Sequence, residues 1–102
     1  MQYTCVTVHL VNKDKSLKGL DEISDRRENA IQILNNCNCS PSRVIQHMYN
    51  ERLTEIEIEY HFEDLDVNEA ENKLCHELKC FEHSLGELSL IVGDISSKTY
   101  RM

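Results

Sequence analysis

The chain is poor in the residues that build linkers and tight loops, since it contains three glycines and one proline in 102 residues. Flexible linkers and low-complexity segments are rich in such residues, so neither is expected here. No glycine-rich loop that could hold a phosphate is present, and the GxSxG and HExxH motifs are both missing. The sequence therefore gives no positive sign of an enzyme, and a non-enzymatic protein is expected.

Basic residues are also few. Eleven Lys and Arg stand against 18 Asp and Glu, which gives a formal net charge of −7. Because Lys and Arg are the residues that neutralise backbone phosphates, direct binding to nucleic acid is not expected. A protein of this charge is better suited to a basic protein partner.

Long apolar runs are missing as well, because none approaches the roughly 20 residues that a membrane-spanning helix needs. Residues 1–5 lack the features of a secretory signal. The five cysteines are Cys5, Cys37, Cys39, Cys75 and Cys80. Disulfide-stapled secreted domains normally have an even number. We therefore expect reduced thiols in a cytoplasmic protein that does not contact membranes.

The strongest pattern that is present is a strict alternation from Thr54 to Asp64, which is typical of a strand with one buried and one hydrated face. The apolar side consists of Ile56, Ile58, Tyr60 and Phe62. The polar side consists of Glu55, Glu57, Glu59, His61 and Glu63. This hydrated side is made almost wholly of carboxylates, so it should repel phosphate and a second copy of itself.

Four further elements are predicted from periodicity and capping signals. They are a strand over Gln2–Asn12, a helix from the N-cap Ser24 to about Asn36, a helix from Val67 to about His83, and a strand that includes Leu88, Leu90 and Val92. Asp66 and Glu69 form an acidic capping box for the second helix, and Gly86 is placed to stop it. Residues 96–102 are expected to be a short tail after a single domain of residues 1–95.

The segment from Pro41 to Asn50 is ambiguous. A short helix with Ser40 as its N-cap is one interpretation, and a strand over 43–49 that turns at Asn50-Glu51 into the acidic strand is the other. The strand is favoured because it gives the order β-α-β-β-α-β. That order predicts an α+β two-layer sandwich of the ferredoxin-like type, with an antiparallel sheet covered by two helices on one face.

The uncovered sheet face is the first candidate site. In the predicted topology the first and third strands are central neighbours, which places Cys5, Thr7 and His9 beside the acidic strand. The residues expected to bind a basic partner are Glu55, Glu57, Glu59, His61, Glu63 and Glu87. Histidines His9 and His61 form a separate possible metal site.

A metal site on the second helix is the other candidate. His76, Cys80 and His83 are spaced i, i+4 and i+7, so an unbroken helix would bring their side chains to one side. Imidazole and thiolate groups are good ligands for zinc, copper or nickel. The pair Cys37 and Cys39 is a weaker candidate for a soft metal, while a protein without a cofactor is the main expectation.

Three functions remain open at this point. The first is a small interaction or inhibitor protein, such as a phage-type inhibitor or an immunity protein, that docks on a basic partner, for example a nucleic-acid-binding protein. The second is a transition-metal sensor or carrier. The third is a homo-oligomeric regulatory module that binds a small ligand; the sequence does not fix the oligomeric state.

Overall fold

The computed structural model describes residues 2–36 and 39–101, which form one four-stranded sheet and three helices. The elements in chain order are β1 (Gln2–Asn12), α1 (Leu20–Asn35), β2 (Arg43–Tyr49), β3 (Arg52–Glu63), α2 (Val67–Cys80), α3 (Glu82–Glu87) and β4 (Leu90–Arg101). None of the helices among these residues is long and apolar enough to cross a membrane.

The sheet has the strand order β2-β3-β1-β4, and every pair of neighbours is antiparallel. This confirms an α+β protein with a four-stranded antiparallel sheet. The element order matches the ferredoxin-like pattern loosely, because the short helix α3 stands between α2 and β4. The two central strands are β1 and β3, so the acidic strand has a neighbour on both sides.

The core lies on one side of the sheet, where the alternating apolar residues of the central strands are removed from water. Val6, Val8 and Leu10 of β1 are fully buried, as are Ile56 and Ile58 of β3. They form one cluster with the buried residues of the three helices, which are Ile23, Ala30, Leu34, Ala70, Leu74, Leu78 and Leu85. Helix burial on this side explains why the central strands are mainly apolar on one face.

The ambiguous segment before the acidic strand forms β2, which confirms the hairpin interpretation. Asn50 and Glu51 both have positive φ angles, of 51° and 65°. Two consecutive left-handed residues give the twist that a tight antiparallel hairpin needs. Arg43 therefore pairs with Glu59, and His47 with Glu55.

Helix α1 begins one turn earlier than its predicted start, so the prediction of Ser24 as N-cap is wrong. The cap is Gly19, whose φ of 94° is a conformation that glycine adopts without strain. The carbonyl of Gly19 accepts the first helical hydrogen bond from the amide of Ile23 at 3.1 Å. Ile23 is fully buried, so this extra turn adds a large side chain to the core.

The predicted second helix is divided in two. Its start is confirmed, because the side chain of Asp66 accepts a hydrogen bond from the Glu69 amide at 2.8 Å in a capping box. Its end is different: α2 stops at Cys80, Phe81 leaves helical geometry, and α3 continues to Glu87. Gly86 lies inside α3 and does not stop a helix.

The last strand continues through the segment that was predicted to be a tail, so that prediction is wrong for residues 96–101. The pairing of β4 with β1 shifts between Val8 and Leu10, which is the signature of a bulge. Val92 and Ile95, three residues apart, therefore both pack against the core. This spacing breaks the period of two, and residues 96–99 are all polar, so they provide no apolar signal for a strand.

Candidate functional site

The side of the sheet opposite the core is called the open face below. It carries the alternate side chains of all four strands, and cross-strand partners share this side. On β1 and β3 these are Tyr3, Cys5, Thr7, His9, Val11, Glu55, Glu57, Glu59, His61 and Glu63. On β2 and β4 they are Arg43, Ile45, His47, Ile91, Ser96, Lys98 and Tyr100. The structure thus brings together the five β3 residues expected to bind a partner.

Each of the three central glutamates of the open face contacts a histidine. His9 Nδ1 lies 3.0 Å from Glu55 Oε2, His47 Nε2 lies 3.3 Å from Glu57 Oε1, and His61 Nε2 lies 3.1 Å from Glu59 Oε1. The glutamate side chains are 31%, 23% and 24% exposed. The carboxylates are therefore accessible from solvent and held in position by histidines of the sheet.

Glu59 lies at the centre of the densest group of polar contacts on the open face. Its Oε1 atom accepts hydrogen bonds from His61 and from the thiol of Cys5, which lies 3.1 Å away. The bond from His61, followed by that from Cys5, lowers the pKa of the Glu59 carboxyl group. Burial, the hydrogen bond to Glu59 and its negative charge raise the pKa of the Cys5 thiol to about 11. At neutral pH the carboxylate is ionised and the thiol is protonated.

The open face is less uniformly acidic than the β3 sequence predicted. Arg43 is the direct cross-strand partner of Glu59, and its charge contributes to the lowered pKa of that carboxyl group. Lys98 is the partner of Cys5 on the other side. The edge strands therefore add two cations to the four glutamates of β3, and the remaining excess is still negative.

One end of the open face carries an aromatic group. The rings of Tyr3 and Tyr100 are stacked with centroids 5.1 Å apart, and the ring of His61 lies 5.8 Å from Tyr3. The ammonium group of Lys98 lies 5.3 Å from the Tyr100 centroid, within the range of a cation–π contact. This group is not recognisable from the sequence, because Tyr100 lies in the segment that is expected to be a tail.

Glu87 is not part of the open face. It lies in α3, where its carboxylate pairs with His83 at 3.2 Å, and the two side chains are 69% and 91% exposed. The prediction that Glu87 lies beside the acidic strand requires β4 to begin before Leu88. Two turn residues separate α3 from β4, which starts at Leu90.

The structure does not assemble the metal site predicted on the second helix. His76 and Cys80 belong to α2 and His83 belongs to α3, and the break at Phe81 removes the continuous helical spacing. Within residues 2–36 and 39–101, one set of at least three His, Cys, Asp or Glu side chains has its ligand atoms within 4.8 Å of one another. That set is Cys5, Glu59 and His61. The weaker candidate at Cys37 lies outside the described residues.

The sequence contained part of the signal for this cluster. Glu59 and His61 both belong to the hydrated side of β3. The first and third strands are predicted to be adjacent, which puts Cys5 on the same side. The register between β1 and β3 could not be read from the pattern, because the pattern of one strand does not show which residues of the other strand lie opposite it. In the structure Cys5 is directly opposite His61.

Comparison with protein-family models, with curated protein sequences and with solved structures finds no match to this chain. Function is therefore inferred from the geometry and charge of the open face.

Proposed function

We propose that this chain is a small, non-enzymatic interaction protein that docks the open face of its sheet on a basic protein partner, in the manner of a phage-type inhibitor or an immunity protein. We also propose that it is a two-layer sandwich of the ferredoxin-like type, in which the helices cover one side of the sheet and the partner covers the other. The observation that carries the proposal is the row of carboxylates on β3.

The carboxylates of β3 form a straight row of negative charges along the strand. Glu55, Glu57, Glu59 and Glu63 point to the same side of one strand, and side chains two residues apart are separated by about 6.8 Å along it. A basic partner can place one guanidinium or ammonium group against each carboxylate. Arginine is particularly suited to this task because its planar group forms paired hydrogen bonds with a carboxylate.

The histidine contacts support recognition because they limit the motion of the carboxylates before a partner arrives. Each central glutamate already has at least one polar neighbour at 3.0–3.3 Å. Side chains that are ordered in the free protein lose less conformational entropy on binding. Since a carboxylate can accept several hydrogen bonds, a partner arginine can be added without removal of the histidine.

The same charges favour a protein partner over a nucleic acid. A row of carboxylates repels phosphate groups, and Arg43 and Lys98 lie beside this row without forming a separate basic stripe. Two open faces that approached each other would also bring their carboxylates together. The acidic face is therefore complementary to a basic surface such as a nucleic-acid-binding protein presents.

The aromatic end of the open face supplies a second kind of contact. Tyr3 and Tyr100 combine a large apolar ring with a polar hydroxyl group, and residues of this type are common among those that dominate binding energy at interfaces. Tyr100 is 38% exposed in the free protein. Burial of this stacked pair by a partner would add apolar contact area next to the row of charges.

The main test is charge reversal at the centre of the row. A partner is first captured on the immobilised chain from a lysate of the native host and identified by mass spectrometry, and its purified form is then titrated. Exposed ion pairs contribute about 0.2–1 kcal/mol each, so loss of three of them predicts at least about threefold weaker binding. Reversal adds repulsion, so the variant E55K/E57K/E59K should lose more than this.

A matched control separates the site from the total charge. The variant D25K/E82K/E87K makes the same change in net charge at exposed positions on the helices, and it should retain binding. Circular dichroism and urea unfolding establish that both variants are folded. Equal affinity of the two triple variants for the partner would contradict the proposal.

A further inference from the structure

The cluster of Cys5, Glu59 and His61 offers three different ligand groups at one point of the open face. Glu59 Oε1 lies 3.1 Å from Cys5 Sγ and 3.1 Å from His61 Nε2. All three ligand atoms lie within 4.8 Å of one another. The three side chains come from adjacent central strands, so their arrangement is set by the pairing of β1 with β3.

These distances are close to those that a zinc ion requires. Zinc is bound at about 2.3 Å by sulfur and at about 2.0–2.2 Å by nitrogen and oxygen, usually in a tetrahedron. Two ligand atoms of such a tetrahedron are separated by roughly 3.3–3.6 Å. An ion can therefore be accommodated if the atoms now joined by hydrogen bonds move apart by a few tenths of an ångström.

The chemistry of the three groups also fits zinc. Thiolate and imidazole are the usual nitrogen and sulfur ligands of zinc, and a carboxylate is common as a third ligand. Thr7, which faces Glu59 across the strand pair, also donates a hydrogen bond to the Cys5 sulfur. Such bonds to a ligand atom orient it and tune the metal site. Burial raises the pKa of the free thiol, so zinc must displace its proton, which passes to solvent.

The position of the cluster leaves room for a fourth ligand. Cys5 and Glu59 are partly exposed, and the His61 side chain is 47% exposed. Solvent therefore reaches the cluster from the side away from the core. A zinc site with three protein ligands keeps its fourth position for water or for a group from another molecule.

We propose that Cys5, Glu59 and His61 bind one zinc ion, with the fourth position open to solvent. This goes beyond the proposed docking function and is tested on the free chain, so the two can fail separately. The ion would reduce the negative charge at Glu59, within the carboxylate row. It would also replace the hydrogen bonds that now join the three side chains.

The test is titration of the full chain, reduced and freed of metal by a chelator. Cobalt is used as a spectroscopic substitute for zinc, because a cobalt–thiolate bond gives a charge-transfer absorption in the near ultraviolet. We expect one equivalent of cobalt to produce this absorption and one equivalent of zinc to remove it. Calorimetry should give the same stoichiometry for zinc alone.

Two variants in the cluster and one outside it identify the ligands. C5S should abolish the thiolate absorption, and H61Q should weaken zinc binding by at least about tenfold. Because His61 is exposed and on a hydrated face, H61Q is expected to fold even if C5S does not. The control C80S/H83Q removes a thiol and an imidazole from the helices, and its titration should match that of the unmodified chain.

Three results would each overturn the zinc proposal. They are titrations without saturable zinc or cobalt binding, a thiolate absorption that persists in C5S, and zinc affinity that H61Q leaves unchanged. Loss of the site in C80S/H83Q with retention in H61Q would also overturn it, since the ligands would then be on the helices. Docking on a basic partner could still be tested by charge reversal in any of these cases.

Discussion

Substitution of Ile58 by alanine, set against substitution of Glu57 by glutamine, tests the assignment of the two faces of β3. The two residues are neighbours on the central strand, yet Ile58 is fully buried and the Glu57 side chain is 23% exposed. Ile58 faces Val8 on one side and Val44 on the other. The two substitutions therefore compare a buried apolar side chain with a partly exposed polar one at adjacent positions of the same strand.

The expected costs follow from these environments. Ile58→Ala removes three carbon groups, and at about 0.8 kcal/mol for each the lost transfer free energy is about 2.4 kcal/mol. The cavity left between the strands adds to this, so the total should lie at about 2–5 kcal/mol. Glu57→Gln keeps the shape of the side chain and loses a contact with a partly exposed histidine, which should cost less than about 1 kcal/mol.

Urea unfolding measures both costs in the same assay. The midpoint of Ile58→Ala should fall while the slope of free energy against urea stays unchanged, because the folded topology is kept. Its melting temperature should fall by at least about 8 °C for a domain of this size. A larger loss for Glu57→Gln than for Ile58→Ala would refute the face assignment and with it the open face.

Three further predictions concern a glycine pair, a helix cap and a thiol. Gly93→Ala should destabilise the protein by about 1–3 kcal/mol, because the added carbon would lie 2.9 Å from a valine methyl group. Gly86→Ala, whose added carbon meets no atom within 4 Å, should be neutral or stabilising by up to about 1 kcal/mol in the same thermal melts. Asp66→Ala removes the capping box of α2 and should cost about 0.5–2 kcal/mol, measured by urea unfolding. At pH 8, iodoacetamide should alkylate Cys5 much more slowly than the exposed Cys80, because the thiolate is the reactive form and the pKa of Cys5 is about 11. The rate at Cys5 should rise only as the pH approaches this value. Equal rates for the two thiols in a mass-spectrometric time course at pH 8 would contradict this prediction.

The sequence predicts the two central strands well because their pattern reports directly on burial. The alternation in β1 and β3 arises from one covered and one hydrated face, and both strands have their expected positions. The hairpin before β3 is favoured over a helix because of the order of elements that it gives, and the structure confirms it. Its turn at Asn50 and Glu51 needs only local backbone geometry.

Helix α1 and strand β4 were harder to predict because their boundaries depend on tertiary contacts. Ser24 is a good N-cap by residue type, yet Ile23 is needed in the core and the helix begins before both. In β4 the bulge opposite β1 changes the spacing of the core residues from two to three. Neither effect can be recognised from a window of neighbouring residues.

The composition of the open face illustrates the same limit. The carboxylates of β3 are visible in a single strand, whereas the cations beside them come from other strands. The register of β2 places Arg43 opposite Glu59, and the part of β4 beyond its bulge places Lys98 opposite Cys5. Electrostatic character that arises from cross-strand partners requires the register, which the pattern of any one strand does not contain.

The salt dependence of partner binding tests the docking proposal most directly. Calorimetric titration of the captured basic partner would compare the unmodified chain with E55Q/E57Q/E59Q, which removes three charges and keeps the side-chain shapes. We predict that affinity for the unmodified chain falls steeply as salt is added, and that the variant binds more weakly with a shallower salt dependence. Identical affinities and identical salt dependence for the two proteins would contradict the central claim that the carboxylate row is the recognition surface.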